Sequence, residues 1–172
     1  MTVIAMIRRA ARLAVFATTF AASFCWAHDE PDKLAADEAF VLTKITGDHR
    51  RAIFEHVSGL DSFTVDSIEG PKAYKVKAGL YYLKRAEPLL MGRSAVDFPR
   101  PTSPQSTFTV VAGALNYIGD WSIRWTNYTR PSFNHGVDQK TIEKIRSNET
   151  FAKLPLYISQ IGQSPVRVKI AD

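Results

Sequence analysis

The sequence predicts an all-β fold with one short helix near its C-terminus. Three observations carry that expectation. From Phe40 onward, short apolar runs separated by turn residues recur about every ten positions. Several runs alternate apolar and polar side chains with the period of two that a half-buried strand requires. Only one stretch, after Val137, changes to helical spacing.

Residues 40–45 form the first run, followed by the turn signal Thr46-Gly47-Asp48. Residues 52–57 are closed by Ser58-Gly59, and residues 63–68 by Glu69-Gly70-Pro71. Tyr74, Val76 and Ala78 then alternate with Lys75 and Lys77, and residues 80–83 are apolar on both faces, as in a central strand. Residues 98–104 hold three prolines and read as a semi-rigid extended loop. Phe108 and Val110 alternate with Thr107 and Thr109. Trp121, Ile123 and Trp125 face one way, and Ser122, Arg124 and Thr126 the other. Asp138 caps the helix, with Val137 and Ile142 as its staple and Ile142 and Ile145 as its inward stripe; Pro155 stops it. The expected place of that helix is an open end or edge of the sheets. Val166, Val168 and Ile170, alternating with Arg167 and Lys169, predict the last strand.

Residues 1–27 have the three-part grammar of a secretory signal peptide. Arg8, Arg9 and Arg12 make the positive end, and residues 13–24 are apolar and uncharged. Cys25-Trp26-Ala27 sets small residues at the two positions a signal peptidase reads. The expected cut precedes His28. The apolar run is shorter than the roughly 20 residues a bilayer span needs, which disfavours an uncleaved anchor. A lipoprotein acylated on Cys25 is a competing reading, though Phe24 and Ala22 stand where a small residue and a leucine are usual. Residues 28–39 then read as a flexible mature N-terminus and 40–172 as a single β-sandwich domain.

The formal charge of +5 falls to near +2 once the three leader arginines go, leaving 19 basic against 17 acidic residues. A balance so weak and dispersed argues against nucleic acid as partner. Cys25 is the only cysteine, so the processed chain has no disulfide and no thiolate metal site. Its 145 residues suffice to bury a core without such a staple.

One pattern occurs twice: residues 76–83, Val-Lys-Ala-Gly-Leu-Tyr-Tyr-Leu, resemble residues 111–118, Val-Ala-Gly-Ala-Leu-Asn-Tyr-Ile. Both set an Ala-Gly turn between apolar segments with a tyrosine soon after. These segments, with Gly79, Tyr81 and Tyr82 in the first and Gly113, Tyr117, Ile118, Gly119 and Asp120 in the second, resemble a family of uncharacterised small exported bacterial proteins. That family carries a domain similar to transthyretin and to the regulatory domain of carboxypeptidases. The resemblance spans about residues 40–170, its specific part being under forty residues. It implies a seven- or eight-stranded transthyretin-like or immunoglobulin-like β-sandwich, a turn at Tyr117-Ile118-Gly119-Asp120, and no known reaction. Many relatives look like lipoproteins, which the context of Cys25 does not match.

Several residues have chemistry worth weighing. An N-terminal His28 offers amine and imidazole to copper, with His49, His56 or His135 as the further ligand. Asp48-His49-Arg50-Arg51 can be drawn as a carboxylate orienting an imidazole, but after a glycine turn it reads better as the charged tip of a hairpin. His56 reads as a satisfied, partly buried strand residue, and His135 as part of a turn. Asp120 and Arg124 read as a turn-stabilising pair. Trp121 and Trp125 have the spacing of core residues rather than of a ligand groove. Lys72, Lys75, Lys77, Lys84 and Arg85 read as a solvated basic face rather than an anion site. Asn127-Tyr128-Thr129 and Asn148-Glu149-Thr150 match the glycosylation triplet, which matters only in a eukaryotic secretory route. No hydrolase, zinc-protease, phosphate-loop or calcium-loop motif is present.

The expectation is therefore a non-catalytic exported protein of the bacterial periplasm or cell envelope: a binding module for another envelope protein, with no assigned catalytic, cofactor or metal residue. Membrane attachment would require lipidation. The alternatives are an inhibitor or immunity protein against a secreted toxin, and a copper-binding protein using His28.

Overall fold

The alternating stripes become strands that divide between two facing sheets. The computed structural model describes residues 34–66, 70–90, 92–125 and 131–169. In chain order the strands are β1 (Glu38–Gly47), β2 (His49–His56), β3 (Ser62–Asp66), β4 (Lys72–Lys77), β5 (Gly79–Pro88), β6 (Val96–Asp97), β7 (Phe108–Val110), β8 (Leu115–Trp125), β9 (Pro131–Gly136), β10 (Leu156–Ile158) and β11 (Val166–Arg167). Helices α1 (Gln139–Arg146) and α2 (Glu149–Ala152) lie between β9 and β10. The fold is a β-sandwich, but with eleven described strands rather than seven or eight; four of the eleven are only two or three residues long. The expected leader, His28 and the first glycosylation triplet lie outside the described residues.

One sheet runs β11-β10-β8-β1-β4, with β9 also on β8; the other runs β3-β2-β5-β6, with β7 also on β5. The larger sheet is mixed, because β8 lies parallel to both β1 and β10. Between the sheets, Val41, Ile45, Ile118 and Ile123 meet an aromatic cluster centred on Phe54. The Phe54 ring lies 5.0 Å from that of Phe63, 5.3 Å from Trp121 and 5.8 Å from Phe108. Such offset and edge contacts add to the burial term.

Turn signals that look like hairpin tips prove to be crossings between sheets. Thr46-Gly47-Asp48 carries the chain from β1 in one sheet to β2 in the other. Both Ala-Gly repeats do the same, in opposite directions: Ala78-Gly79 joins β4 to β5, and Ala112-Gly113 joins β7 to β8. Only Ser58-Gly59 joins neighbouring antiparallel strands, β2 and β3. Gly47 turns at φ 110° so close to β8 that a Cβ would stand 2.1 Å from the Ile123 carbonyl oxygen.

A second core lies on the outer face of the larger sheet. There Phe40, Leu42, Leu115 and Tyr117 pack against Ile142, Ile145 and Phe151. The helices thus cover a sheet face, not an end or edge. An eight-residue helix is too short to persist alone; burying Ile142 and Ile145, at about 1.5–3 kcal/mol each, holds it in place. Asp138 caps α1 as its position predicts, accepting from the N–H groups of Lys140 and Thr141. Asn148 caps α2, which helical spacing did not single out.

β8 serves both cores through a bulge. Leu42 of β1 pairs with Tyr117, but Lys44 pairs with Asp120, so β8 carries one extra residue between them. Tyr117-Ile118-Gly119-Asp120 is therefore strand throughout, not the expected turn. At the C-terminus the described strand is Val166–Arg167, where Val166 is exposed; Val168 reaches the second core, and Ile170 lies outside the described residues. β1 begins at Glu38, two residues before its apolar run, and Ala39 is buried.

Gly47 and Gly113 both have positive φ, but a Cβ at Gly113 would meet nothing within 4 Å. Gly113→Ala carries only the backbone strain, about 1 kcal/mol, whereas Gly47→Ala must also displace β8. Urea unfolding is expected to show Gly47→Ala less stable than Gly113→Ala by about 2 kcal/mol or more. Equal losses would mean that the Gly47 crossing does not constrain β8.

Candidate functional site

The two sheets meet closely along one side and stand apart along the other. On the closed side, Phe63 of β3 packs on Tyr74 of β4, ring centres 5.3 Å apart. On the open side, β9 of the larger sheet faces β6 and β7 of the smaller one, and the seam between them is a cleft of about 610 Å³. That volume lies within the usual range for a small-ligand or side-chain pocket.

The cleft is built from three segments. The strands supply Tyr82 and Leu83 from β5, Trp121 from β8 and Phe133 from β9. The proline-rich segment forms the outer wall, from Phe98 to Ser106, ending in a single 3-10 turn at Pro104–Ser106 capped by Ser103. Ile161 closes the third side; Gly162 beside it donates its N–H to the Thr107 carbonyl at 2.8 Å, tying the two walls together. The Phe98 and Phe133 rings meet edge to face at 5.3 Å across the seam.

Trp121 works in two places at once. Its ring belongs to the sandwich core and its Nε1–H donates to the Ile118 carbonyl at 3.2 Å, while one side lines the cleft. Core packing and groove lining are not alternatives for this residue. Trp125 is buried in the core only.

Among the described residues, Arg100 is the single charged one lining the cleft. At the rim, the Tyr82 hydroxyl donates to Glu55 Oε2 at 2.6 Å, and Lys84 Nζ donates to Glu55 Oε1 at 2.8 Å. The Arg100 guanidinium also reaches the Tyr82 oxygen. Burial, then the Glu55 carboxylate, push the Tyr82 phenol above its usual range, so it stays protonated. Lys84 is thus ion-paired with Glu55, Arg100 acts on the same carboxylate from farther off, and Asp97 lies within electrostatic reach of Lys84.

The other candidate residues scatter. His49 is not at a hairpin tip: it is wholly buried at the start of β2, and neither ring nitrogen has a hydrogen-bond partner. Asp48 meets Arg93 at 3.6 Å instead of orienting the imidazole, and Arg51 pairs with Asp66 at 3.3 Å. His56, half-buried, bonds through Nδ1 to Ser58 Oγ at 2.6 Å and covers Gly79. His135 lies in β9, not in a turn, with its ring 5.5 Å from that of Trp121. His49 and His56 stand at opposite ends of β2, about 23 Å apart along a strand, too far to share a metal. Among the described residues no group of three or more His, Cys, Asp or Glu is placed to hold one.

Asp120 does not pair with Arg124. It accepts from the Tyr117 hydroxyl at 2.7 Å, and the same hydroxyl accepts from the Asp138 N–H at 3.1 Å, bolting the start of α1 to β8. Burial pushes the Asp120 carboxyl up, and the Tyr117 bond opposes that shift. The basic face is split between sheets and neutralised in place. Lys75 meets Glu38, Lys77 meets Asp37, and Arg85 meets Asp97 and Glu87, all within 3.5 Å, while Lys72 lies over the Tyr74 ring.

Burial holds the His49 imidazole below its usual value, against the pull of Asp66. The unfolded chain therefore takes up a proton first, near pH 6.5. The contribution of His49 to stability is intact above that value and is lost as pH falls through it, by at most about 1.4 kcal/mol per pH unit. Thermal unfolding between about pH 7 and about pH 5 is expected to show a shallower loss for His49→Leu than for the parent; parallel curves would contradict it. Compared with known proteins, the chain matches no family model, no curated protein and no solved structure.

Proposed function

We propose that this chain is an exported, non-catalytic binding module of the bacterial envelope, and that its partner is engaged at the cleft along the open seam. The cleft carries the reading. It is concave and walled by aromatic, proline and aliphatic side chains, with Thr102, Ser103, Gln105 and Ser106 among them, and its described lining holds one charge, the composition by which proteins take up apolar groups and orient them with few polar contacts. A proline-rich wall suits binding, because its backbone loses little freedom when a partner arrives.

Export rests on the leader grammar of residues 1–27 and on a processed chain free of cysteine. The non-catalytic reading rests on the dispersal of the groups that could do chemistry. The Asp48 carboxylate is engaged by Arg93, the His49 imidazole is sealed from solvent, and His56 is held by its own turn. The resemblance to exported transthyretin-like domains agrees with this reading and adds no reaction to it.

Two measurements test the proposal. Intact-mass analysis of protein extracted from the cell envelope is expected to give a chain beginning at His28. A retained leader or an acylated Cys25 would replace export in soluble form with membrane attachment. Phenylnaphthylamine, an apolar dye that brightens on leaving water, is expected to bind the native protein in the cleft. Phe133→Glu places a charge on the exposed rim of that cleft and should weaken the dye by about tenfold. Equal binding by the two proteins would remove the cleft from the argument.

A further inference from the structure

Beside the cleft lies an open strand edge. β9 pairs with β8 through all six of its residues, and among the described residues no strand pairs with its other side. Ser132, Phe133 and Asn134 are exposed. An unpaired edge presents alternate N–H and C=O groups, the template on which a further strand adds. Proteins commonly blunt such edges with charge, and β9 carries no Lys, Arg, Asp or Glu.

Edge and cleft belong to one surface. Phe133 sits on β9 and lines the cleft, and His135, two residues on, points to the same face against Trp121. A strand laid along β9 would send every second side chain toward that face, over the cleft that Phe98 and Phe133 line. The charge at the site also selects. Among the described residues the one ionised group lining the cleft is Arg100, with Lys84 and Glu55 paired beside it. An acidic side chain on the incoming segment would pair with Arg100; a basic one would be repelled.

We infer that the partner contributes an extended segment, which adds to β9 as a seventh strand of the larger sheet, sets an aromatic or large apolar side chain in the cleft and presents an acidic residue to Arg100. This rests on the cleft reading above and names the class of ligand. Main-chain bonds to β9 would give affinity, and the cleft with Arg100 would give selectivity.

A phage-displayed library of random ten-residue peptides, panned on the processed protein, supplies the probe. Enriched peptides are expected to combine an aromatic with Asp or Glu, and to slow hydrogen exchange of the β9 amides. Synthetic copies N-methylated at every second residue give the decisive comparison, since they leave the protein untouched. Methylation in one register should weaken binding by about tenfold or more, and in the other register hardly at all. Arg100→Gln, an exposed change, should weaken acidic peptides by about fivefold and leave their amidated versions unaffected.

Failure to enrich any peptide over a control protein overturns the inference, as does equal tolerance of methylation in both registers. Concentration-dependent dimerisation that protects β9 without peptide also overturns it, by assigning the edge to a second copy. If phenylnaphthylamine still binds in those cases, the cleft survives as an apolar site and only the strand-addition partner is lost; if it does not, both fall.

Discussion

β8 has to satisfy two cores at once, and the rest of the structure is arranged around how it does so. A strand whose side chains alternate strictly can offer one face to the facing sheet and one to the helices, but each face then keeps a fixed parity. In β8 the parity changes: Leu115 and Tyr117 point to the helices, while Trp121, Ile123 and Trp125 point to the facing sheet. The extra residue at the bulge makes the change, and Gly119 occupies it at φ 89°, with the Thr43 hydroxyl donating to its carbonyl at 2.9 Å. Without that shift, the three large residues at the end of β8 would turn away from Phe54 and toward the outer face.

Several polar groups buried by this arrangement are satisfied locally. Asn116 is wholly buried at the crossing from β7 to β8, and its amide behaves like a piece of strand. It accepts from the Val111 N–H at 2.8 Å and donates to the Val111 carbonyl at 3.0 Å, with a further contact to the Phe40 carbonyl at 3.3 Å. At the other Ala-Gly crossing Tyr81 takes the matching part. Its hydroxyl donates to Asp61 at 2.6 Å, and Asp61 accepts the Lys77 N–H at 2.7 Å. Each bond spans a place where the chain changes sheets, where a dry, unpaired amide would cost several times the worth of the bond itself. His49 has no such partner, and neither do the buried Trp125 Nε1 and His135 Nε2.

What could be read from the sequence follows from this geometry. Alternation is a local signal, so β4, β7 and the Trp121-Ile123-Trp125 half of β8 were legible, as was the Asp138 cap. The helical layer was not. Its trace is the unbroken apolar run Ala39-Phe40-Val41-Leu42, which marks a strand buried on both faces, while the run at residues 80–83 invited that reading instead and leaves Leu80 exposed. Turn residues say that the chain bends, not whether it returns to the same sheet, so the crossing at Gly47 read as a hairpin tip and that at Gly79 as a plain turn. The cleft joins residues from Tyr82 to Ile161. No local pattern links them, and only Phe98 and the prolines after it hinted at a wall in need of something to face.

The parallel pairing of β1 with β8 has a consequence for how the molecule comes into being. Two parallel neighbours cannot be joined by a tight turn, and here the Phe40 carbonyl and the Asn116 amide that meet across them are 76 residues apart. The closure entropy of so long a loop is met before this pair forms, and topologies of this kind fold slowly. As the polypeptide emerges from the ribosome, β1 can pair with β4 early, but its pairing with β8 waits until β5, β6 and β7 have also followed. Until then the larger sheet lacks the strand that joins β1 to β9 and β10.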